Sequence, residues 1–289
     1  MSSVAIIGPK GQLGTDLVKT FANSGWQVKM LTHEKISIED INSVRDALTA
    51  NKSDWVINTA AFHKVDECEF NPEKAWQINT TGQMNVATIS RDLNMKSVFL
   101  SSDYVFSGDK QDNESYSEND LVSPVNAYGH SKAAGEAVTI AANSNNLVVR
   151  IASVFGAAGS SGKGGNFVET ILKKGRGGEM LKVVDDITMS PTYTADAAVR
   201  ILDAINASYC GVLHASNAGN TSWFGFAKEI LNMTNLQTEL IASSTNWEQI
   251  PKRPRNSSLE TIESDSLSKK DFSWKDGLMR YLVEKGHIS

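Results

Sequence analysis

Strand-like and helix-like stretches alternate through the first half of this chain, and that alternation restricts the fold more than any other feature. Val4–Ile7, Val28–Leu31, Trp55–Ile57, Val98–Leu100 and Leu147–Ile151 are short, continuous apolar runs rich in β-branched residues. Runs of this kind read as strands buried on both faces. Between them lie the amphipathic stretches Gly14–Asn23, Ile41–Ala50, Pro72–Asn94 and Ala127–Ala142, which read as helices. Strand, helix, strand, repeated, predicts an α/β fold with a doubly wound parallel sheet and right-handed crossovers.

The character changes near Gly156. The stretch GAAGSSGKGG (156–165) is rich in glycine, and we expect it to be mobile. A helix over Asn166–Lys174 and a strand over Leu181–Val184 should follow. From Trp223 onward the pattern is helical, interrupted by a polar insertion that holds Pro251 and Pro254. This C-terminal part is expected to sit over the carboxyl edge of the sheet, where open α/β sheets bind ligands.

Composition narrows the class. With 40% hydrophobic and 21% charged residues the chain is not of the disordered type. Its 289 residues suggest roughly two domains. A net charge of −5 and a pI near 5.6 argue against a nucleic-acid binder, which needs a basic footprint. No apolar run approaches the roughly 18 residues of a membrane span, and the first residues lack the basic start of a signal peptide. Cys68 and Cys210 are too few for a disulfide framework and belong to no CxxC pair. A cytoplasmic protein, monomeric or homodimeric, with no membrane or nucleic-acid partner and no bound metal is the expectation. The five histidines are scattered, and His130 and His214 read as helix-surface and strand-end residues rather than ligands.

Three motifs carry chemistry. Gly8-Pro-Lys10-Gly11-Gln12-Leu13-Gly14 directly follows the first strand. Glycines there permit a tight turn and a close backbone approach to a diphosphate, and the next helix offers free N–H groups. In a chain with 21 glycines, chance supplies about 0.1 such spacings, so position rather than spacing gives this one its weight. Tyr128-Gly-His-Ser-Lys132 places a phenol and an ammonium one helical turn apart. A nearby ammonium lowers a tyrosine pKa and makes the phenol usable in proton transfer. Chance supplies about 0.4 Tyr-x-x-x-Lys pairs here, and a second copy, Tyr281–Lys285, does occur. We read that copy as a solvated amphipathic end helix. The third motif, Ser101-Ser102-Asp103-Tyr104-Val105, ends a buried strand in hydroxyls. Taken alone, Ser101 and Ser102 read as a strand-end cap.

Glycine loop, serine-ended strand and Tyr-x-x-x-Lys together resemble the extended short-chain dehydrogenase/reductases. The likeness sharpens to the nucleotide-sugar branch typified by dTDP-4-dehydrorhamnose reductase. It is carried by Asn58-Thr-Ala-Ala61 with Val65-Asp66, by Ile78-Asn79, by Ser101–Phe106, by Ala127–Glu136, by Val184-Asp-Asp186 with Ser190-Pro-Thr192, by His214–Gly219 with Thr221-Ser-Trp223, and by Arg253-Pro-Arg-Asn-Ser257. The resemblance spans nearly the whole chain.

It implies a Rossmann-type NAD(P)-binding domain over 1–155, with parts of 189–222 returning to it, and a substrate lobe from 156–188 and 223–289. It implies that Gly8, Gly11, Gln12, Leu13 and Gly14 hold the cofactor phosphates, that Ala60 and Ala61 line the cofactor, and that Asn79 supports the active-site helix. Ser102 would bond the substrate carbonyl, Tyr128 would protonate it, and Lys132 would bind the nicotinamide ribose. Val65, Asp103, Tyr104 and Val105 would border the sugar, and Arg253 and Asn256 belong to the substrate-lobe motif. Lys252, Arg253 and Arg255 otherwise read as a solvated basic loop, yet in an acidic protein they suit a nucleotide diphosphate. The implied activity is NAD(P)H-dependent reduction of a 4-keto group on a nucleotide-linked 6-deoxyhexose.

Three departures stand out. The family usually has threonine at Ser102, tryptophan at Ser153 and glutamine at Ile187. The first keeps the hydroxyl; the other two bear on the substrate, since Ser153 removes a stacking ring beside the sugar. Two rival readings share the fold, an epimerase or dehydratase that returns the hydride to the sugar, and a non-catalytic subunit like the regulatory subunit of methionine adenosyltransferase. For the cofactor, Thr32 and His33 stand where NAD-preferring proteins carry an acid, and Lys10 and Lys35 are near enough in sequence to meet a 2′-phosphate. NADPH is therefore favoured over NADH, with Glu34 as the opposing feature.

Overall fold

The computed structural model describes residues 1–159, 165–268 and 272–289. Part of the glycine-rich stretch expected to be mobile, 160–164, lies outside the described residues. Six strands form one parallel sheet: β1 (Ser3–Ile7), β2 (Gln27–Leu31), β3 (Trp55–Asn58), β4 (Lys96–Ser102), β5 (Leu147–Ile151) and β6 (Gly211–His214). Their order is β2-β1-β3-β4-β5-β6. The chain leaves β1 toward one edge and returns to build the other, so the topological switch lies between β1 and β3, where such sheets open a crevice.

Why these runs are strands is visible in β1. Val4 and Ile6 enter one apolar layer with Leu17, Phe21 and Ile201, whereas Ala5 and Ile7 enter the opposite layer with Leu48, Val56 and Val86. Period-two alternation thus feeds two cores, which is why the sequence shows a continuous apolar run. Helices α1 (Gln12–Asn23), α2 (Ile41–Ala50), α3 (Gln83–Asp92) and α4 (Ala127–Ala142) cover the faces. Full burial of a side chain such as Phe21 contributes about 1.5–3 kcal/mol.

Two expectations change. The stretch Pro72–Asn94 is not one helix: Pro72–Trp76 is followed by a π-helical segment, Gln77–Gly82, before α3. Side-chain bonds favour the wide turn, since Asn79 holds the backbone of Phe62 and Thr80 Oγ1 donates to Ser131 O at 2.8 Å. Beyond Trp223 the chain is helical only in part. Leu240–Ser243 is a strand paired in parallel with Leu181–Val184, and its half-exposed, polar-flanked sequence gives little periodicity.

Further helices are α5 (Phe167–Arg176), α6 (Thr194–Asn206), α7 (Trp223–Met233) and α8 (Trp274–Glu284), beside the six-residue segments Val65–Phe70 and Ile262–Leu267. Of these, α6 packs on α1 beside the sheet. Helices α5, α7 and α8 surround a separate apolar cluster holding Phe155, Ile171, Phe226 and Leu278. Tyr281 belongs to that cluster and is fully buried, so the end helix is a packed one, contrary to the solvated reading of its sequence. Among the described residues no helix is long and apolar enough to cross a membrane.

Candidate active site

A cleft of about 720 Å³ opens at the carboxyl ends of β1, β3 and β4. Its floor begins at the glycine loop. Gly8 has φ +77° and ends β1 with its N–H on Leu31 O. A Cβ on Gly8 would lie 2.5 Å from Thr59 Oγ1, and one on Gly14 only 2.1 Å from Gly8 O. Both positions therefore require glycine for the turn to close against β3 and α1. Gly11 precedes α1 without any capping side chain, which leaves the first-turn N–H groups for a ligand. That geometry fits an anionic diphosphate.

The opposite wall carries the hydroxyl, phenol and amine. β4 runs buried to Ser102, whose Oγ accepts from Tyr104 N at 3.2 Å and donates to Asp103 Oδ1 at 2.8 Å. Ser102 is thus a cap, as its local sequence suggests, and also a cleft residue. Helix α4 starts at the cap residue Asn126, whose side chain accepts from Gly129 N, and its first turns carry Tyr128 and Lys132 into the same cleft. Asn79 braces this helix: its Nδ2 donates to Ser131 Oγ at 3.0 Å, and Ser131 Oγ donates to Tyr128 O at 2.7 Å. The support role expected of Asn79 has its geometry here, although Asn79 is not itself among the cleft-lining residues.

Electrostatics depart from the sequence reading in one respect. Burial pushes the Tyr128 phenol well above the usual tyrosine range, Asp103, Cys68 and Tyr104 push the same way, and the Ser102 hydroxyl pulls back. The expected lowering by Lys132 is not seen. Lys132 Nζ donates to Leu100 O at 2.5 Å and sits 4.1 Å from the Phe99 ring centroid, so its charge faces the strand. Burial pushes Lys132 down to about 7 against the pull of Glu136. Burial likewise raises Asp103 to about 6, opposed by the hydroxyls of Ser257 and Ser102. The phenol is a protonated group at neutral pH, which suits a proton donor.

Other expected residues divide clearly. Lys10, Leu13, Thr32, His33, Ala60, Ala61, Val65, Tyr104 and Ser153 all line the cleft. Ser153 has φ +43°, a left-handed backbone held by a residue with a side chain. Val105 does not reach the cleft, because it packs in a small core with Phe106 and Tyr116. Asn256 does not either; it is fully buried, and its Nδ2 donates to Gln111 O at 2.6 Å and Glu114 O at 2.8 Å, holding that loop. Ile187 is buried away from the cleft lining. The basic cluster is also outside the lining. Arg253 pairs with Asp66 at 2.9 Å, and Arg255 lies over Trp247 at 4.5 Å. Arg253 and Arg255 thus each have a partner within the chain, and Arg253 also acts on Tyr104 of the cleft lining. Lys35 turns back onto Met30 O at 3.5 Å and leaves Lys10 as the loop lysine in the cleft, with Glu34 and Glu39 beside it. His214 is buried against Glu260 O and Arg150, and His130 is exposed, in keeping with structural roles. Among the described residues no group of three or more His, Cys, Asp or Glu is placed to hold a metal.

Sequence reasoning missed one wall. Asn166, Phe167, Trp223 and Phe226 face the cleft from the C-terminal lobe, with Phe167 and Trp223 ring centroids 4.7 Å apart. In sequence, Asn166 marks only the start of an expected helix, and Trp223 enters only within a stretch that carries the resemblance.

Comparison with known proteins agrees with this architecture. The family model described as the RmlD substrate binding domain matches residues 1–286. The spore coat polysaccharide biosynthesis protein SpsK of Bacillus subtilis is 34% identical over 286 residues, covering 99% of this chain and 98% of that protein. The dTDP-4-dehydrorhamnose reductase of Mycolicibacterium smegmatis is 35% identical over 239 residues, covering 82% and 71%. Among solved structures, dTDP-4-dehydrorhamnose reductase of Bacillus anthracis in complex with NADP superposes with a TM-score of 0.90 at 33% identity, over 98% of this chain and 100% of that one. With the glycine loop, the Ser/Tyr/Lys wall and matches over nearly its full length, the chain belongs to the dTDP-4-dehydrorhamnose reductase family, that of the RmlD substrate binding domain.

Proposed function

We propose that this protein reduces the 4-keto group of a dTDP-linked 6-deoxyhexose, with NADPH as the favoured dinucleotide. The observation that carries the reading is the convergence of Ser102, Tyr128 and Lys132 on one wall of a cleft whose floor is an uncapped helix start behind a glycine loop. Relatives of this chain are named for that reduction, and one of them is solved with NADP.

The nicotinamide, when bound, supplies the hydride. The chain's own part is alignment and the proton. Gly8, Gly11 and Gly14 shape the diphosphate seat, and Lys10 stands at its outer end. Lys132 serves the nicotinamide ribose from beneath the phenol. Ser102 Oγ, on turning its proton from Asp103 Oδ1 to the substrate, holds the sugar carbonyl, and Tyr128 Oη, protonated because burial raises it, gives its proton to that oxygen as the alkoxide forms. Asp103 bounds the sugar from a fully desolvated position, and Tyr104 packs edge-on against Tyr128 with centroids 5.8 Å apart. Val65 and Ser153 border the same space.

The same reading places the dinucleotide on residues 1–155 and 189–222, places the sugar against 156–188 and 223–289, and puts a monomer or homodimer in the cytoplasm. The test is loss of reduced-nicotinamide absorbance with a freshly generated dTDP-4-keto-6-deoxy sugar. Stoichiometric consumption supports reduction. Conversion of the sugar without net consumption would replace it by epimerase or dehydratase chemistry, and binding without turnover by a regulatory role.

A further inference from the structure

Tyr281 stands out in the sequence only as the second tyrosine of a Tyr-x-x-x-Lys pair, yet its hydroxyl is wired to the glycine loop. It donates to Glu169 Oε1 at 2.6 Å and accepts from Asn166 Nδ2 at 3.0 Å. A phenol has one proton, so donation to the carboxylate leaves only its oxygen for Asn166. Asn166 is fixed from its other end as well, since Oδ1 accepts from Glu169 N at 3.1 Å and caps α5. Its NH2 has two protons: one serves Tyr281 Oη, the other Gly156 O at 3.2 Å, and Gln12 Oε1 lies further off at 3.5 Å.

Gln12 completes the chain. The link runs through Gly156, whose carbonyl Asn166 holds and whose N–H donates to Gln12 Oε1 at 3.0 Å. A backbone N–H cannot accept, so the side of the amide facing Gly156 must be its oxygen. The NH2 group then points the other way, and Gln12 is both the first residue of α1 and a lining residue of the cleft. We propose that Tyr281 and Asn166 are positioning residues for dinucleotide binding, locking the Gln12 amide so that its NH2 joins the uncapped N–H groups of α1 as a donor to the diphosphate. This rests on the dinucleotide reading above. It assigns the C-terminal helix a share in cofactor affinity, although that helix does not touch the cleft floor.

The test measures NADPH binding directly, by fluorescence titration of the full chain without sugar. Tyr281→Phe removes the acceptor for Asn166, and Asn166→Ser keeps a capping hydroxyl while removing the amide donor. Each should raise the Kd for NADPH roughly five- to tenfold, the scale of a misaligned charge-assisted hydrogen bond. In a Gln12→Ala background neither should raise it further, because the group they position is gone. With saturating NADPH, kcat should change less than about twofold, giving a split that general loosening of the fold would not produce. An unchanged Kd in both single variants, or full additivity with Gln12→Ala, would overturn the assignment. Failure of the unaltered chain to bind NADPH would instead overturn the dinucleotide reading beneath it.

Discussion

Ser102 and Asp103 share a hydrogen bond at the wall of the cleft: Oγ donates to Oδ1 at 2.8 Å, and both residues are buried. The other carboxyl oxygen of Asp103 is buried without a hydrogen-bond partner in good geometry. Burial accordingly raises this acid to about 6, with the Ser257 and Ser102 hydroxyls opposing. Between about pH 4 and pH 6 the folded chain keeps a proton that the unfolded chain has lost, so stability falls as pH rises through this window. The full loss above it is about 3 kcal/mol. Asp103→Asn should therefore melt at higher temperature than the parent at pH 8, with the gap closing toward pH 4. A gap of constant size across that range would contradict the assignment.

On the proposed function the catalytic tyrosine is Tyr128. Tyr128→Phe keeps the ring and removes the proton donor, so kcat should fall about 10²–10⁴-fold, with dinucleotide affinity little changed. Tyr281→Phe should leave kcat within a few-fold and show its effect in affinity. Steady-state kinetics of the two variants side by side decide the matter, and equal losses in kcat would remove the distinction.

On the proposed function Lys132 should set the alkaline limit of the free protein. Burial lowers its ammonium to about 7, Glu136 resisting, so the charge that serves the ribose fades as pH rises through neutrality. An anionic dinucleotide favours the charged form and moves the titration upward. The kcat/KM for NADPH should thus decline above about pH 7, whereas kcat at saturation should hold to higher pH. Coincident limbs in the two profiles would show that another group is responsible.

On the proposed function dinucleotide choice should turn on Lys10. It lines the cleft at the glycine loop, where Glu34 and Glu39 also stand, and Lys35 is turned away onto Met30 O. Lys10→Ala should narrow the preference for NADPH by raising its KM more than that for NADH, and Glu34→Gln should widen it. Competing specificity constants from the two cofactors provide the measurement. A kcat/KM for NADH well above that for NADPH in the parent protein would refute the preference itself.

Much of this was legible before any coordinates. The glycine spacing, the hydroxyl-ended strand and the Tyr-x-x-x-Lys turn are each short-range patterns, and the parallel sheet brings them together by topology alone. What escaped was of longer range. Asn166 and Trp223 reach the cleft through the packing of a lobe whose strand Leu240–Ser243 has almost no periodic signature. That Arg253 pairs with Asp66, and that Asn256 holds the 111–114 loop, is likewise invisible in sequence. The Lys132 charge failed to lower Tyr128 for a related reason, since the carbonyl of Leu100 holds it. Side-chain type was read correctly; prior commitments were not.

The π-helical segment Gln77–Gly82 gives the helix one residue more than an α-helical turn holds, and Asn79 and Thr80 use that extra width to grip Ser131. Chain length is consequently a functional variable at this point. A one-residue deletion here would restore ordinary winding and rotate everything before it by about 100° relative to α3. Val65 at the sugar border would swing with it, while the glycine loop, on its own strand, would not. A one-residue deletion in this segment should therefore displace the Val65 side of the cleft more than the glycine-loop side.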